Sequence, residues 1–403
     1  MTTNLMKQVL DEHLYDIRQT HNGRWIDQKC TMDELCFVAD CVVNYLDEGG
    51  SLPFTSPNIW HTEYSIQNVM ALFCKPDPTD KTTIDEYNKF FRQPLKMLSA
   101  AGVLSEKKVG PEIQFTVVNR DVLYYLSLNE RNCMDFLCLY IEKTLKDSGL
   151  WDYFASFFDE QTQERYQEVK QAFHDFCIAN TPIKNAKEPG RIFTKVINPL
   201  AVKYRKRGSE GGRMSEKIIT LDKIKYNQPN SIRDKDKDKN ISRQQAKTKS
   251  NLEDATYSYQ VTKAINRLKK FNDTYNSSRS EVTDKFSIGV AATHMHHIFP
   301  KSSFPSIADY VENLIALTSA QHMQEAHPNG NTQKIDKDFQ YICLISKTES
   351  IRKNLQNGFG TTMFYSFENY MKVLDTGFNS NFFSGLDQDD YNSVLSGIEM
   401  NYK

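Results

Sequence analysis

Five of the nine histidines, His294, His296, His297, His322 and His327, stand between Thr293 and Asn331. Imidazole changes charge near neutral pH and is a common metal ligand, so such a cluster implies metal binding, proton transfer or both. The spacing narrows this. His296 and His297 are adjacent, Asn313 follows His297 by sixteen residues, and His322 follows Asn313 by nine. Met295, His296, His297 and Ile298 read as an extended segment, in which successive side chains leave on opposite faces. The paired histidines therefore point apart and suit two different jobs. Leu314, Ile315 and Leu317 read as a short apolar strand, and Thr318-Ser319-Ala320-Gln321 has the pattern of a capping box. The helix it opens carries His322 on its first turn, with His327 near the stop at Pro328-Asn329-Gly330. Such a constellation suits metal-assisted phosphodiester hydrolysis. A structural zinc knuckle of four histidines competes with this reading, but structural sites favour cysteine and none lies between Cys177 and Cys343. His13, His21, His61 and His174 read as ordinary surface or core residues. A PD…ExK nuclease pattern can be laid over Pro76-Asp77 and Glu106-Lys107-Lys108. In a chain with 51 acidic and 50 basic residues so loose a pattern arises by chance.

The order His-His, Asn, His resembles that of the HNH nucleases. The segment HHIFPKS with the return NLIALT and the exit HPNGN is most similar to bacterial type II restriction endonucleases with an HNH site. The resemblance is close over Thr293–Asn331, loose over residues 180–400, and hardly touches the N-terminal half. It implies a ββα-metal finger in which His296 and His322 hold a divalent cation. Mg²⁺ keeping its waters is the first expectation, and imidazole also accepts Mn²⁺, Ni²⁺ or Zn²⁺. It further implies His297 as general base and Asn313 as the residue that orients it, although in some members that position binds metal. The toxin branch has another histidine four residues after the one matching His322. Ala326 stands there, which leaves His327 as the candidate third ligand. The implied activity is hydrolysis of double-stranded DNA at or near a specific sequence, type IIS being the form that separate recognition and cleavage halves would suit. A cognate DNA methyltransferase acting on the same site would accompany it in the bacterial cytoplasm. A modification-dependent or homing HNH enzyme is the alternative within the class. Outside it stands a DNA-binding regulator with a structural or degenerate metal finger.

The elements that must position these residues belong to an α+β, mainly helical chain. With 403 residues, 39% of them apolar and 25% charged, two to three soluble domains are expected. No apolar run reaches the length of a membrane span, and the N-terminus lacks the design of a signal peptide. Eight cysteines without a CxxC pair read as reduced thiols, with Cys36, Cys41, Cys133 and Cys138 in apolar helical patterns. Residues 1–130 read as a helical, winged-helix-like recognition domain. In it a helix across Asn88–Leu98 precedes a hairpin over Val103–Val117, with Lys89, Arg92 and Lys96 free to face DNA. Residues 131–180 read as a helical connector, 181–253 as a basic DNA-contacting segment and linker, and 254–403 as the nuclease domain. Charge supports the third assignment. Residues 181–280 carry 24 Lys and Arg against 10 Asp and Glu, a net of +14 in a chain whose total is −1. Within them Lys203, Arg205, Lys206 and Arg207 abut a glycine-rich turn that ends at Arg213, where backbone and guanidinium groups can approach phosphates closely. The RDKDKDKN run reads as a solvated linker. Helices are expected over residues 254–273, 335–355, 363–374 and 387–400.

Overall fold

The computed structural model describes residues 2–27, 29–73, 75, 83–185, 187–226, 252–327, 335–360 and 364–403. The Pro328–Gly330 stop, the RDKDKDKN run and the Pro76-Asp77 pair lie outside them. The described chain is mainly helical with three small antiparallel sheets and divides into two compact units, residues 3–253 and 254–403. No helix among the described residues is long and apolar enough to cross a membrane.

In the first unit, α1 (Thr2–Asp11) and the short α2 (Ile17–Thr20) lead into α3 (Met32–Asp47). Leu35, Phe37, Val38, Ala39, Cys41 and Val42 of α3 are all buried. With most of its length buried, α3 lies in the core and packs against later helices on several faces. β1 (Phe54–Thr55), α4 (Ser56–Trp60), α5 (Glu63–Phe73) and α6 (Ile84–Ala100) come next, then the hairpin of β2 (Leu104–Val109) and β3 (Glu112–Val117). The sheet order is β1-β3-β2, with Leu104 paired to Val117 and Phe54 to Phe115. Leu104 and Phe115 face the core while Glu106, Lys107 and Lys108 face out. The hairpin closes through Gly110, at φ 59°, followed by Pro111, the sign pattern of a type II′ turn. Five further helices follow: α7 (Arg120–Leu128), α8 (Glu130–Asp147), α9 (Trp151–Asp159), α10 (Gln163–Asn180) and α11 (Lys187–Tyr204). Phe154, Phe157, Tyr166, Phe173 and Phe193 interlock, edge-on or tilted, between α9, α10 and α11. After them come the two-stranded β4 (Ser209–Glu210) and β5 (Arg213–Met214), and α12 (Leu221–Ile224). All seven cysteines described are buried free thiols.

The second unit opens with α13 (Leu252–Tyr275), whose Val261, Ala264, Leu268 and Phe271 recur at helical spacing and are buried. Phe271 stacks on Phe364 with ring centroids 3.9 Å apart. β6 (His294–His297) and β7 (Leu314–Leu317) pair antiparallel, and α14 (Lys337–Asn357), α15 (Phe367–Phe378) and α16 (Tyr391–Met400) complete the unit. The last three helices begin two to four residues later than the apolar pattern predicts. Asp336, Ser366 and Asp390 explain the delay, because each accepts a hydrogen bond from the backbone three residues on and so fixes the first turn.

Candidate metal centre

The strand pair is the platform. Alternation along β6 sends His296 and His297 to opposite faces, and the register sets His296 against Ile315 and His297 against Leu314. β7 is buried throughout and held on its other edge by Glu281. The Glu281 amide donates to the Ala316 carbonyl at 3.0 Å, and its carboxylate accepts from the Ala316 amide at 2.9 Å. Lys347 of α14 neutralises that carboxylate at 2.7 Å and also donates to the Tyr365 hydroxyl at 3.0 Å. Burial pulls the Lys347 ammonium below its ordinary pKa against the opposing pull of Glu281.

β7 ends in the capping box. The Thr318 amide donates to Gln321 Oε1 at 3.0 Å and the Gln321 amide to Thr318 Oγ1 at 3.2 Å. Gln321 also donates to the Val282 carbonyl at 3.0 Å, so the cap is pinned to the segment that holds β7. Beyond the cap the chain departs from the expected α-helix, because Gln321–Ala326 form a π-helical turn. In an α-helix residues five apart lie well around the cylinder from each other. The wider π turn bonds residue i to i+5 and brings them to one side. His327, just past the turn, therefore comes over His322, with ring centroids 4.8 Å apart.

His296 completes the group. Its ring lies 5.2 Å from that of His322 and 5.1 Å from that of His327, each crossing near a right angle. One nitrogen from each of the three lies within 4.8 Å of the others, a grouping that could hold one cation. The rings are suited to metal in protonation state as well. Burial, then the neighbouring imidazoles, pushes His296 down to about 3 and His322 to about 4, so both are neutral at physiological pH, the state that metal ligation requires. His322 Nδ1 is buried without a hydrogen-bond partner among the described residues, as an atom reserved for another ligand would be. His294 stacks on His322 at 4.7 Å but stands outside the converging set.

His297 lies on the other face. Its Nε2 is 3.0 Å from the Ala308 carbonyl, which can only accept, so Nε2 carries the proton and Nδ1 is the nitrogen able to take one up. Burial holds its pKa below the ordinary histidine value, against the Ala308 hydrogen bond. The loop supplying that carbonyl is braced by the fully buried Asn313. Asn313 Oδ1 accepts from the Phe299 amide at 2.9 Å, and its Nδ2 donates to the carbonyls of Phe299 and Ile307 at 3.0 and 3.2 Å. Both the oxygen and the nitrogen of the Asn313 side chain are thus engaged with backbone of the loop. Ala308, Glu281 and Lys347 carry no legible signal in the sequence as site residues, and Gln321 is legible only through the Thr318–Gln321 box.

No protein-family model, curated protein or solved structure matches the chain. Function must therefore be read from the residues themselves. Those expected to contact DNA divide into two groups, both in the first unit. In the basic block, Lys203 is paired with Glu142 at 2.5 Å, and Arg207 donates to the Gln161 carbonyl at 2.8 Å. Both are committed within the protein. Arg205 and Arg213 are exposed and Lys206 is half-buried. The glycine-rich turn has a structural explanation, because Gly211 and Gly212, at φ 59° and 80°, close the β4–β5 hairpin as a two-residue turn. Arg92 and Lys96 are exposed on α6, on one face with Lys89.

Proposed function

We propose that this chain is a metal-dependent endonuclease of the HNH type, acting on double-stranded DNA as a type II restriction enzyme. The observation that carries the reading is the convergence of His296, His322 and His327 on one face of β6, while His297 stands on the other, tied to a loop braced by Asn313. A divalent cation held by the three imidazoles would supply Lewis acidity toward the scissile phosphate and stabilise the leaving oxygen. His297 accepts a proton from the attacking water at Nδ1, Nε2 being committed to Ala308. Asn313 holds the loop so that this tautomer and ring position are fixed before substrate arrives. Three nitrogen ligands favour Mn²⁺, Ni²⁺ or Zn²⁺ over Mg²⁺, which prefers oxygen and octahedral water, and this revises the first expectation. Three ligands also leave a position open for substrate, which favours a catalytic site over the closed four-ligand shell of a structural finger.

The first unit supplies the complementary half. A three-stranded sheet in the order β1-β3-β2, with α6 directly before the β2–β3 hairpin, supports a winged-helix-like reading. Arg92 and Lys96 on α6 and Arg205, Lys206 and Arg213 near the β4–β5 hairpin are the DNA contacts we assign. The test is digestion of plasmid, unmodified and methylated, by metal-stripped protein resupplied with each cation in turn. Discrete fragments from unmodified DNA support restriction, and cutting of methylated DNA alone selects a modification-dependent enzyme. No cutting with any cation overturns the nuclease reading in favour of a regulator.

A further inference from the structure

Residues 279–292 of the second unit run from the end of α13 to the start of β6, and both ends of this loop are tied to the metal platform. The Ala292 amide closes its base on the Ser278 carbonyl at 2.7 Å, and the Glu281 amide bonds β7 at Ala316. Two residues past the base, His294 pairs with Leu317 and its ring stacks on His322 at 4.7 Å. The loop therefore springs from the end of the strand pair where β7 runs on into the turn bearing His322. Two successive turns stiffen it. The Asp284 carboxylate accepts from the Phe286 amide at 2.8 Å, and the Asp284 carbonyl accepts from the Ser287 hydroxyl at 2.9 Å. The Ser287 carbonyl then accepts from the Val290 amide at 3.4 Å. Gly289, third in that turn, has φ 71°, as a type II turn requires, and a side chain there would meet nothing, so only the backbone calls for glycine.

What the second turn presents is apolar: Ile288 is 79% exposed and Val290 50%. Scattered apolar residues on a surface need no explanation. Here two share one stiffened tip, and their surroundings say what they meet. Arg279 and Lys285 are exposed on the same loop and make no ion pair among the described residues. The loop's two carboxylates are engaged inward, Glu281 by Lys347 and Asp284 by the Phe286 amide. An apolar tip flanked by uncompensated cations fits a duplex, whose phosphates surround a stack of flat bases. It does not fit a stable protein interface, which buries on the order of 800 Å² per partner and not two side chains. Chain length bounds where the tip acts. Val290 and Ile288 stand four and six residues before His294, at most about 14 and 22 Å of extended chain. At about 3.4 Å per step of a strand, that is within roughly six base steps of a phosphate at the metal.

We propose that this loop is a minor-groove wedge: Ile288, with Val290 beside it, enters one base step of the bound duplex and kinks it, while Arg279 and Lys285 hold phosphates on either side. The proposal rests on the DNA-cleaving reading and deepens it, but its test needs neither metal nor cleavage. A wedge prefers a step that is already weakly stacked, so the full chain in EDTA is titrated with two duplexes of about 30 base pairs. They share one sequence, and one carries a central T·T mismatch flanked by 2-aminopurine. The mismatched duplex should bind on the order of tenfold more tightly, with a rise in 2-aminopurine fluorescence as its neighbour unstacks. Ile288→Ser with Val290→Ser should remove both the preference and the rise and leave the melting temperature unchanged, because both side chains stand in solvent. Ile288→Phe, which keeps an apolar wedge, should retain them. Arg279→Gln with Lys285→Gln should lower the log-log salt slope by about 1.8 on both duplexes and keep their ratio. Equal binding of the two duplexes by the wild type, or a preference that survives the double serine variant, overturns the wedge. A wild-type dimer in sedimentation that the double serine variant reduces to monomer also overturns it, by assigning the tip to a second copy of the chain. Plasmid cutting in the presence of metal without mismatch preference sinks this inference alone, whereas the preference without cutting by any cation sinks the nuclease reading and leaves the wedge standing.

Discussion

Changing one atom at the centre of the site tests the brace. Asn313→Asp keeps Oδ1, and with it the bond from the Phe299 amide, but replaces the amide nitrogen by oxygen. Two hydrogen bonds, to the Phe299 and Ile307 carbonyls, become oxygen–oxygen contacts in a fully buried place. Two orphaned acceptors at about 1–3 kcal/mol each, together with charge burial, give an expected loss of about 3–5 kcal/mol at neutral pH. The new carboxyl is stabilised in its protonated form, so its folded pKa rises above the unfolded value of about 3.9. A raised carboxyl pKa makes the folded state bind more protons. The variant's deficit against wild type therefore shrinks as pH falls toward 4 and is full above the raised pKa. The assay can be confined to one unit, because the three tryptophans, Trp25, Trp60 and Trp151, all lie in residues 3–253. Urea unfolding followed by far-ultraviolet circular dichroism should show an early transition that tryptophan fluorescence does not follow. A deficit below about 1 kcal/mol, or one that grows on acidification, would refute the brace.

His297→Ala should abolish cleavage while retaining metal and DNA binding, measured by calorimetry and gel shift; normal strand cutting would remove the general-base role. His296→Ala, His322→Ala and His327→Ala should each lose metal affinity and cleavage together, and Zn²⁺ or Mn²⁺ should titrate the wild type far more tightly than Mg²⁺. Lys347→Met strands the buried Glu281 carboxylate and should cost about 3–5 kcal/mol, most of it recovered by adding Glu281→Gln; equal stability of the single and double variants would deny the coupling. Burial would raise the Asp375 carboxyl, but hydrogen bonds from Ser384, Ser380 and the Phe383 amide hold its pKa below the usual value. A depressed carboxyl pKa gives stability that is present above the unfolded value of about 3.8 and lost as pH falls through the folded one. Asp375→Asn should therefore cost about 1–2 kcal/mol near neutral pH and nothing in strong acid, and a gap in melting temperature that persists below pH 3 would contradict this.

How much of the centre the sequence reveals depends on how local its causes are. The strand alternation that separates His296 from His297 and the Thr318–Gln321 cap are dictated by neighbours within four residues, and both are legible. Arg207 and Lys203 look free in sequence because their partners, Gln161 and Glu142, are 46 and 61 residues away. For the same reason His13 and His21 read as incidental, although each lines a cavity on the α6 side of the first unit. His327 is the most instructive case. The five-residue interval from His322 argues against a shared site on an α-helix, where i+4 is the aligned position and Ala326 occupies it. The extra residue is absorbed because the turn is π-helical, and nothing in QHMQEA announces that. Gln321 is bound on three sides, to Thr318, Ser280 and Val282, which fixes where the turn begins. At its end the Ala326 carbonyl is taken by the Asp336 amide, which fixes where it stops. With both ends anchored to the second unit's own framework, the six residues between them adopt the wider winding. His327 is thereby delivered to His296 and His322.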